Sequence, residues 1–424
     1  MSDTIDVDDV NFFDEAVREC PYPAYQALRD EAPVWRDPST GMYVITRYDD
    51  VRALLLDTEH YGSGGRAAAN ATPAAQERAR KIRELYEEKG WVPAITLAGR
   101  DEPGHRQMRA LFDHAFRPAK IKLLDPFVED LARRLVDDFV DDGRCDWVRQ
   151  FAVPLPLIVI GKQMGVPEAD IWKIKAWTDA WVQRLGMMQT EEEAIWSTEM
   201  EIEAQHYFQP IFDRLRVHPD ETLLSDVVNT VVEGWGRPLN DNELHAEMMA
   251  DTFVGGSETS TNALAEGVRL LIENPRAWDQ LQSDPERFLP VLVEEVLRLE
   301  CPVQGLFRTA RTDIELHGVT IPAGAIINVR YGAANRDERH FAQPAQLDLE
   351  RPNPKSHVAF GAGIHFCLGA PLARRELHLG FKALVERIES IRFAGDSADL
   401  RHQPNFCLRA LTSLPIEFTA KAKP

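Results

Sequence analysis

The segment Phe360-Gly-Ala-Gly-Ile-His-Phe-Cys367-Leu-Gly369 sets one cysteine in a glycine-punctuated loop just ahead of a helical run over 370–388. A thiolate there needs a partner, and a metal is the obvious one, since the thiolate rather than the thiol is the metal ligand. Gly361, Gly363 and Gly369 suit a backbone that turns tightly and passes close to a large flat ligand, because glycine takes positive φ and has no Cβ. Phe360 can shield the sulfur. Amides at the start of the following helix, and the partial positive charge of that helix end, favour a bound thiolate. The bland alternative is a small packed residue, the usual place of a free cysteine.

A second group lies in Gly255-Gly256-Ser257-Glu258-Thr259-Ser260. It falls in the middle of the longest predicted helix, 241–273, which Asn240 and Glu243 can cap and Asn274-Pro275 can stop. Such a helix is roughly 50 Å long at 1.5 Å per residue. Two glycines in its interior cost about 1 kcal/mol each, which invites a functional reason. A hydroxyl backed by a carboxylate can relay protons to a bound group. Asp251-Thr252 is a similar pair two turns upstream on nearly the same face, but only Glu258-Thr259 follows the glycines.

Two further groups complete the set. Glu295 and Arg298 stand three apart, on one helical face. His105 and Arg109, after Asp101-Glu-Pro-Gly, are i and i+4, so they share a face as well. Arg308 follows the Glu295 helix, and His365 precedes the cysteine by two residues.

In this order and spacing, the motifs resemble the cytochrome P450 family over nearly the whole chain, most specifically between Glu243 and Arg375. The resemblance implies a mainly α fold: one domain over 1–424, helix-rich and triangular, with a small mixed β subdomain, a lead-in over 1–20 and a haem-thiolate loop over 360–369. It implies haem b with Cys367 as axial thiolate, whose electron density favours O–O cleavage. Gly255 and Gly256 would loosen the long helix, Thr259 would hold the oxygen-side hydrogen bond, and Glu258 would refill its proton. His105, Arg109, Arg308 and His365 match positions that contact the haem propionates, because anions in a buried slot demand cations; Tyr331 adds a hydrogen bond. Glu295, Arg298 and Arg351 would form a structural clamp behind the cysteine loop. The substrate pocket would draw on Leu97, the segment 181–188 with Trp181, Asp251, Val254, Val303, Gln304 and Phe406. Two readings of Asp251 stand side by side, a group facing a polar or cationic substrate and an ordinary salt-bridged acid. Met187 and Met188 fit either an adaptable pocket wall or plain core.

The implied reaction inserts one atom of dioxygen into a hydrophobic small molecule, a terpenoid, steroid, fatty acid or aromatic, by hydroxylation or epoxidation. Electrons would come from an NAD(P)H-dependent reductase through an acidic ferredoxin, since no flavin domain is evident. The alternatives are a haem sensor or carrier without turnover and a peroxide-driven peroxygenase; the latter borrows a substrate carboxylate where Glu258-Thr259 stand.

Composition agrees with a globular chain: 44% of the 424 residues are hydrophobic, and no stretch approaches the roughly 18 apolar residues of a membrane span. The acidic start, Met1-Ser-Asp-Thr-Ile-Asp, resembles neither a signal peptide nor an anchor, so a cytoplasmic monomer is expected. Five scattered cysteines without a C-x-x-C argue against a disulfide framework or a zinc site. A net charge of −20 makes nucleic acid an improbable partner. The resemblance brings Arg106, Arg109, Lys120, Lys122, Arg374 and Arg375 to the cysteine side, where they form either a docking patch for the electron carrier or merely solvated cations. Further helices are predicted over 102–114, 118–141, 147–164, 168–188 and 191–216, strands over 42–46, 314–316, 325–329 and 406–414, and a mobile loop over 62–76.

Overall fold

The computed structural model describes residues 5–64, 72–113, 116–396 and 400–421. The long helix is its axis. Asn240 and Glu243 cap the start reciprocally, the Asn240 side chain accepting from the Glu243 amide at 3.0 Å and the Glu243 carboxylate from the Asn240 amide at 2.8 Å. The chain then runs as α-helix over Asp241–Ala246, widens to π geometry over Glu247–Glu258, and returns to α over Thr259–Glu273. The wide stretch contains both glycines, and such π segments are frequent at functional sites. Packing requires only one of them: a Cβ on Gly256 would lie 3.2 Å from Ile160 Cγ1, whereas one on Gly255 would meet nothing closer than 3.8 Å.

Helices Pro285–Leu299 and Ala370–Arg387 pack on the second half of this axis. Apolar residues at helical spacing, among them Leu264, Val268, Leu292, Val296, Leu377 and Phe381, join them in one buried cluster. Trp147 stacks on Phe151 and fastens to the axis through its indole N–H, which donates to the Leu264 carbonyl at 3.1 Å. A five-stranded sheet lies to one side. Val34–Arg36 pairs antiparallel with Tyr43–Ile45, which runs parallel to Ile326–Val329; that strand pairs antiparallel with Leu306–Ala310, and Tyr61–Gly62 forms the far edge.

Several boundaries differ from the sequence reading. The helix predicted over 118–141 is two, Pro118–Lys122 and Asp125–Asp137, because Pro126 opens a new first turn. The one over 147–164 is a π turn, Val148–Ala152, followed by Pro154–Gln163. The one over 168–188 ends at Leu185, which leaves Met187 at positive φ in the following loop. Of the loop predicted over 62–76, residues 65–71 lie outside the described residues, while 73–76 open an unforeseen helix, Pro73–Lys89. Only Tyr86 of that helix is buried, so its apolar period is too thin to read. The terminal strand is Pro415–Ala420, beside Ile388–Phe393. Residues 406–414 instead form a buried loop with two isolated bridges, an apolar run whose burial imitates a strand.

Candidate functional site

The cysteine loop is held closed by its own backbone. The Cys367 amide donates to the Phe360 carbonyl at 2.9 Å. Gly361 and Gly363 take φ of 69° and 70°, and a Cβ on Gly363 would strike the Leu55 carbonyl at 2.5 Å. Gly369 differs from expectation: its φ is −77°, and it serves as the N-cap of the cysteine helix. Cys367 keeps solvent exposure although protein crowds round it. Burial pushes its thiol up, while the Gly369 and Ala370 amides, aimed at the sulfur, and then Arg109 and Arg374 pull it down.

Behind the loop, Glu295 accepts both Nε and Nη2 of Arg298, at 2.7 and 2.9 Å, and Nε of Arg351 at 2.8 Å. The remaining guanidinium donors reach the carbonyls of Asn335, Pro344, Ala342 and Gln346. The neighbouring residue builds a second clamp that the sequence reading missed. Glu294 accepts from Arg374 at 2.7 and 3.0 Å and bonds His357 at 2.9 Å. Burial raises the Glu294 carboxyl, but His357 and Arg374 outweigh it and hold it at about 2. The Arg374 guanidinium also lies 4.6 Å from the centre of the Phe360 ring.

Beside the cysteine loop the structure gathers the four predicted cationic residues. Arg109 donates to the carbonyls of Ile364 and Phe366, at 2.9 Å each, and so brackets His365. The His365 and His105 rings are 4.2 Å apart. His365 Nε2 bonds the Ser63 hydroxyl at 3.0 Å, and Arg308 lines the same cavity of about 110 Å³. His105 is 2% exposed, and neither of its ring nitrogens has a hydrogen-bond partner; Glu102 at 3.7 Å is too far. Burial, then Arg308 and His105, depress His365 to about 3, and burial, then Arg109, lowers His105. Two carboxylates among these rings would satisfy the unpaired nitrogens and reverse that depression. A thiol with helix-start amides on one side and this cluster on the other fits a haem with two propionates. Tyr331 lies buried near Arg308.

On the long helix, Thr259 donates to the Gly255 carbonyl at 3.1 Å and stays partly exposed. Glu258 points the other way. Its carboxylate accepts from the Thr178 hydroxyl at 2.7 Å and the Lys175 ammonium at 3.1 and 3.2 Å, and Lys175 also pairs with Asp179. Burial, then Lys175 in opposition, leaves the Asp179 carboxyl raised. Ser260, next to Thr259, donates to Glu376 Oε2 at 2.7 Å. Glu376 stands nine residues beyond Cys367, so this bond ties the cysteine helix to the oxygen-side motif. Burial raises the Glu376 carboxyl to about 8, and Oε1 has no partner. Lys175, Thr178 and Glu376 went unseen because their roles depend on which helices cross. Glu376 alone left a trace, a carboxylate in the apolar stripe of a buried helix.

The pocket residues divide. Leu97 and Val254 are buried, and Trp181 partly so. Asp251 accepts from the Ala98 amide at 2.9 Å and the Thr96 hydroxyl at 3.3 Å, so its carboxylate is already engaged by the chain. Gln304 is not a pocket group: its amide donates to the Cys301 carbonyl at 2.6 Å and accepts from Tyr25 at 2.8 Å. Phe406 is 1% exposed and packs among Phe12, Phe13 and Phe307. Lead-in residues Phe12 and Phe13 cover Phe406, and Tyr25 of the next helix covers Gln304. Val303 pairs with Leu408 in an isolated bridge. Met187 and Met188 are 46% and 36% exposed, so neither is core.

The chain belongs to the cytochrome P450 family. The Cytochrome P450 family model matches residues 189–391. The chain is 33% identical over 407 residues to the polyketide biosynthesis cytochrome P450 PksS of Bacillus subtilis, covering 94% of this chain and 96% of that one. It is 32% identical over 426 residues to the steroid C26-monooxygenase of Mycobacterium tuberculosis, covering 99% and 98%. The structure of cytochrome P450 CYP109Q5 from Chondromyces apiculatus superposes with a TM-score of 0.83 at 29% identity, over 98% and 99% of the two chains.

Proposed function

We propose that the protein is a haem-thiolate monooxygenase that inserts one atom of dioxygen into a hydrophobic small molecule. The reading places the haem in a slot with Cys367 on its floor and Thr259 above, and the observation that carries it is the bond from Ser260 to Glu376, which joins the cysteine helix to the segment bearing Thr259. Haem b bound there would supply dioxygen activation. Cys367 would hold it, with the Gly369 and Ala370 amides bearing part of the thiolate charge, and Arg109, Arg308, His105 and His365 would take the propionates.

Thr259 Oγ1, free to leave the Gly255 carbonyl, would donate at the oxygen side. Glu258 would refill that proton, drawing it from the Lys175–Asp179 pair and delivering it by rotation of its side chain. A carrier without turnover has no use for such an arrangement. Leu97, Val254 and Trp181 favour an apolar substrate, the class to which a polyketide or a steroid belongs, and the engaged carboxylate of Asp251 argues against a cationic one.

Electrons would arrive at the cysteine side. Arg374 and Arg375 pair there with Glu294 and Asp125, while Arg106, Arg117 and Lys122 are exposed, as are the apolar Leu123 and Phe366, at 78% and 41%. Exposed cations together with apolar side chains suit an acidic ferredoxin fed by an NAD(P)H-dependent reductase. No described helix is long and apolar enough to cross a membrane, and we place the enzyme in the cytoplasm as a monomer.

The test is the carbon monoxide complex of the reduced protein. The thiolate-type Soret band is expected, and Cys367→Ala should abolish it; its survival in that variant would overturn the assignment. A screen of terpenoids, steroids, fatty acids and aromatics by Soret shift should then find ligands that, with ferredoxin and reductase, stimulate dioxygen consumption. Ligands that bind without doing so would favour a sensor.

A further inference from the structure

Glu243, Glu247 and Asp251 stand four residues apart along the long helix, and each holds part of one loop. Glu243 lies 3.9 Å from the Arg100 guanidinium. Glu247 Oε1 accepts from the Leu97 amide at 2.6 Å. Asp251 takes the Ala98 amide and the Thr96 hydroxyl. The held segment has little structure of its own: no helix or strand from Trp91 to Thr96, then the single turn Leu97–Gly99. Its amides therefore depend on these carboxylates, since buried backbone donors must be paired somewhere. Asp251 is one turn before Gly255 and two before Thr259, so the segment is fastened beside the wide, π-wound part of the helix that borders the slot.

Glutamate is a poor choice for a permanent fastening here. Glu247 is 2% exposed, Oε2 has no partner, and a second carboxylate, Asp251, stands one turn away. A neutral amide would fasten the Leu97 amide equally well without the risk of burying a charge. A carboxyl that must shed or take a proton when the loop moves suits a fastening that opens.

We propose that Glu247 and Asp251 form a latch that holds residues 96–98 closed beside the distal slot, and that its release admits bulky ligands. Both are positioning residues, acting through Leu97 and Ala98. The proposal rests on the reading of the slot as the haem and ligand site, and goes beyond it by assigning the moving part.

The sign of its pH dependence follows from the groups that face it. Burial first, then Asp251 and more weakly Glu243, hold the Glu247 carboxyl well above the ordinary carboxylate range, against the Leu97 amide and Arg100. Burial also raises Asp251, against the Ala98 amide and Thr96. The closed latch thus keeps a proton that a hydrated, open latch would release, so rising pH favours opening once it passes the ordinary carboxylate range.

Association of carbon monoxide and of cyclohexyl isocyanide with the reduced holoenzyme, from pH 5.5 to 8.5, tests this with one small and one bulky ligand, neither of which titrates. In the unaltered protein the isocyanide rate should rise at least threefold across the range while the carbon monoxide rate stays flat. Glu247→Gln, which mimics the protonated group, should stay slow throughout. Glu247→Ala should be at least fivefold faster and independent of pH. Asp251→Asn, which keeps one acceptor, should accelerate about twofold and serves if the alanine variant does not fold. Isocyanide rates within 1.5-fold of the parent, with the parental pH slope, in every variant that folds would overturn the latch. A normal thiolate-type carbon monoxide band in those same samples would leave the haem-thiolate reading intact.

Discussion

Glu294 and Glu376 are both buried and both touch the cysteine helix, yet one carboxyl is held at about 2 and the other at about 8. The difference lies in their neighbours. Glu294 faces Arg374 and His357, whereas Glu376 has one hydroxyl, Ser260, and nothing for its second oxygen. The same contrast separates the two sides of the slot. Beneath the cysteine loop, Glu294 and Glu295 are saturated by guanidinium donors, and that side reads as a permanent charged scaffold. Along the oxygen side, Glu247, Asp251, Asp179 and Glu376 all have raised carboxyls, and that side reads as a store of protons. One residue type thus serves two purposes, and the count of arginines in reach selects between them.

The contrast breaks if the scaffold tolerates the loss of a partner. Arg298→Ala leaves the fully buried Glu295 with Arg351 as its remaining guanidinium partner, and the expected cost is about 3 kcal/mol, read by denaturant unfolding and by loss of haem on purification. A cost below about 1 kcal/mol would mean that water reaches the clamp and that its charges are no scaffold.

Glu376→Gln tests the opposite side. A folded carboxyl at about 8 against an ordinary one near 4.3 in the unfolded chain means that unfolding releases a proton between those values. Stability from this group is complete below the lower value and is lost as pH rises through the upper one, on the order of 5 kcal/mol in all. The glutamine variant keeps an acceptor for Ser260 and cannot ionise, so its stability should fall less steeply from pH 5 to 8 than the parent's. Parallel slopes would show that Glu376 is charged in the folded protein.

The scaffold was partly legible in the sequence and the proton store was not. Glu295 and Arg298 sit on one helical turn, a common pairing by itself, and it is the family resemblance that makes them a clamp and supplies Arg351 as its third member; Glu294, with Arg374 and His357, gave no such sign. The boundaries of the long helix were plain, since Asn240, Glu243 and Asn274-Pro275 mark its ends. Its π-wound middle was signalled only by two adjacent glycines. The partners of Glu258, Lys175 and Thr178, lie on a helix some eighty residues earlier in the chain, and no local pattern announces that crossing. Gln304 and Phe406 differ for the same reason in reverse: Tyr25 closes over the one and lead-in residues Phe12 and Phe13 over the other, which buries both.

Next to these raised carboxyls, Glu258 and Thr259 should matter to chemistry rather than to folding. Thr259→Ala removes a partly exposed hydroxyl whose partner is the Gly255 carbonyl, so unfolding should change little. Loss of a positioned proton donor typically costs about 10²-fold or more. Product formed per dioxygen consumed should fall accordingly while dioxygen uptake persists. Glu258→Gln keeps the bond from Thr178 but cannot carry a proton, and should reproduce the defect; full coupling in both variants would move proton delivery to another route.

The smallest expected effect distinguishes the long helix's own stability from the proton chemistry it carries. Asn240 closes the first turn through two reciprocal bonds with Glu243. Asn240→Ala removes the side-chain half of that cap, which costs about 1 kcal/mol. Glu243 would keep its bonds to Arg237, at 2.7 and 3.0 Å, so the loss stays confined to the helix start, about two turns ahead of the π-wound segment. Thermal unfolding should therefore shift by about 1 °C, while product per dioxygen should match the parent. If coupling fell along with stability, the π-wound segment would depend on tension from the helix start. The carboxylates along it would then owe their raised state to the helix as a whole rather than to the neighbours each one faces.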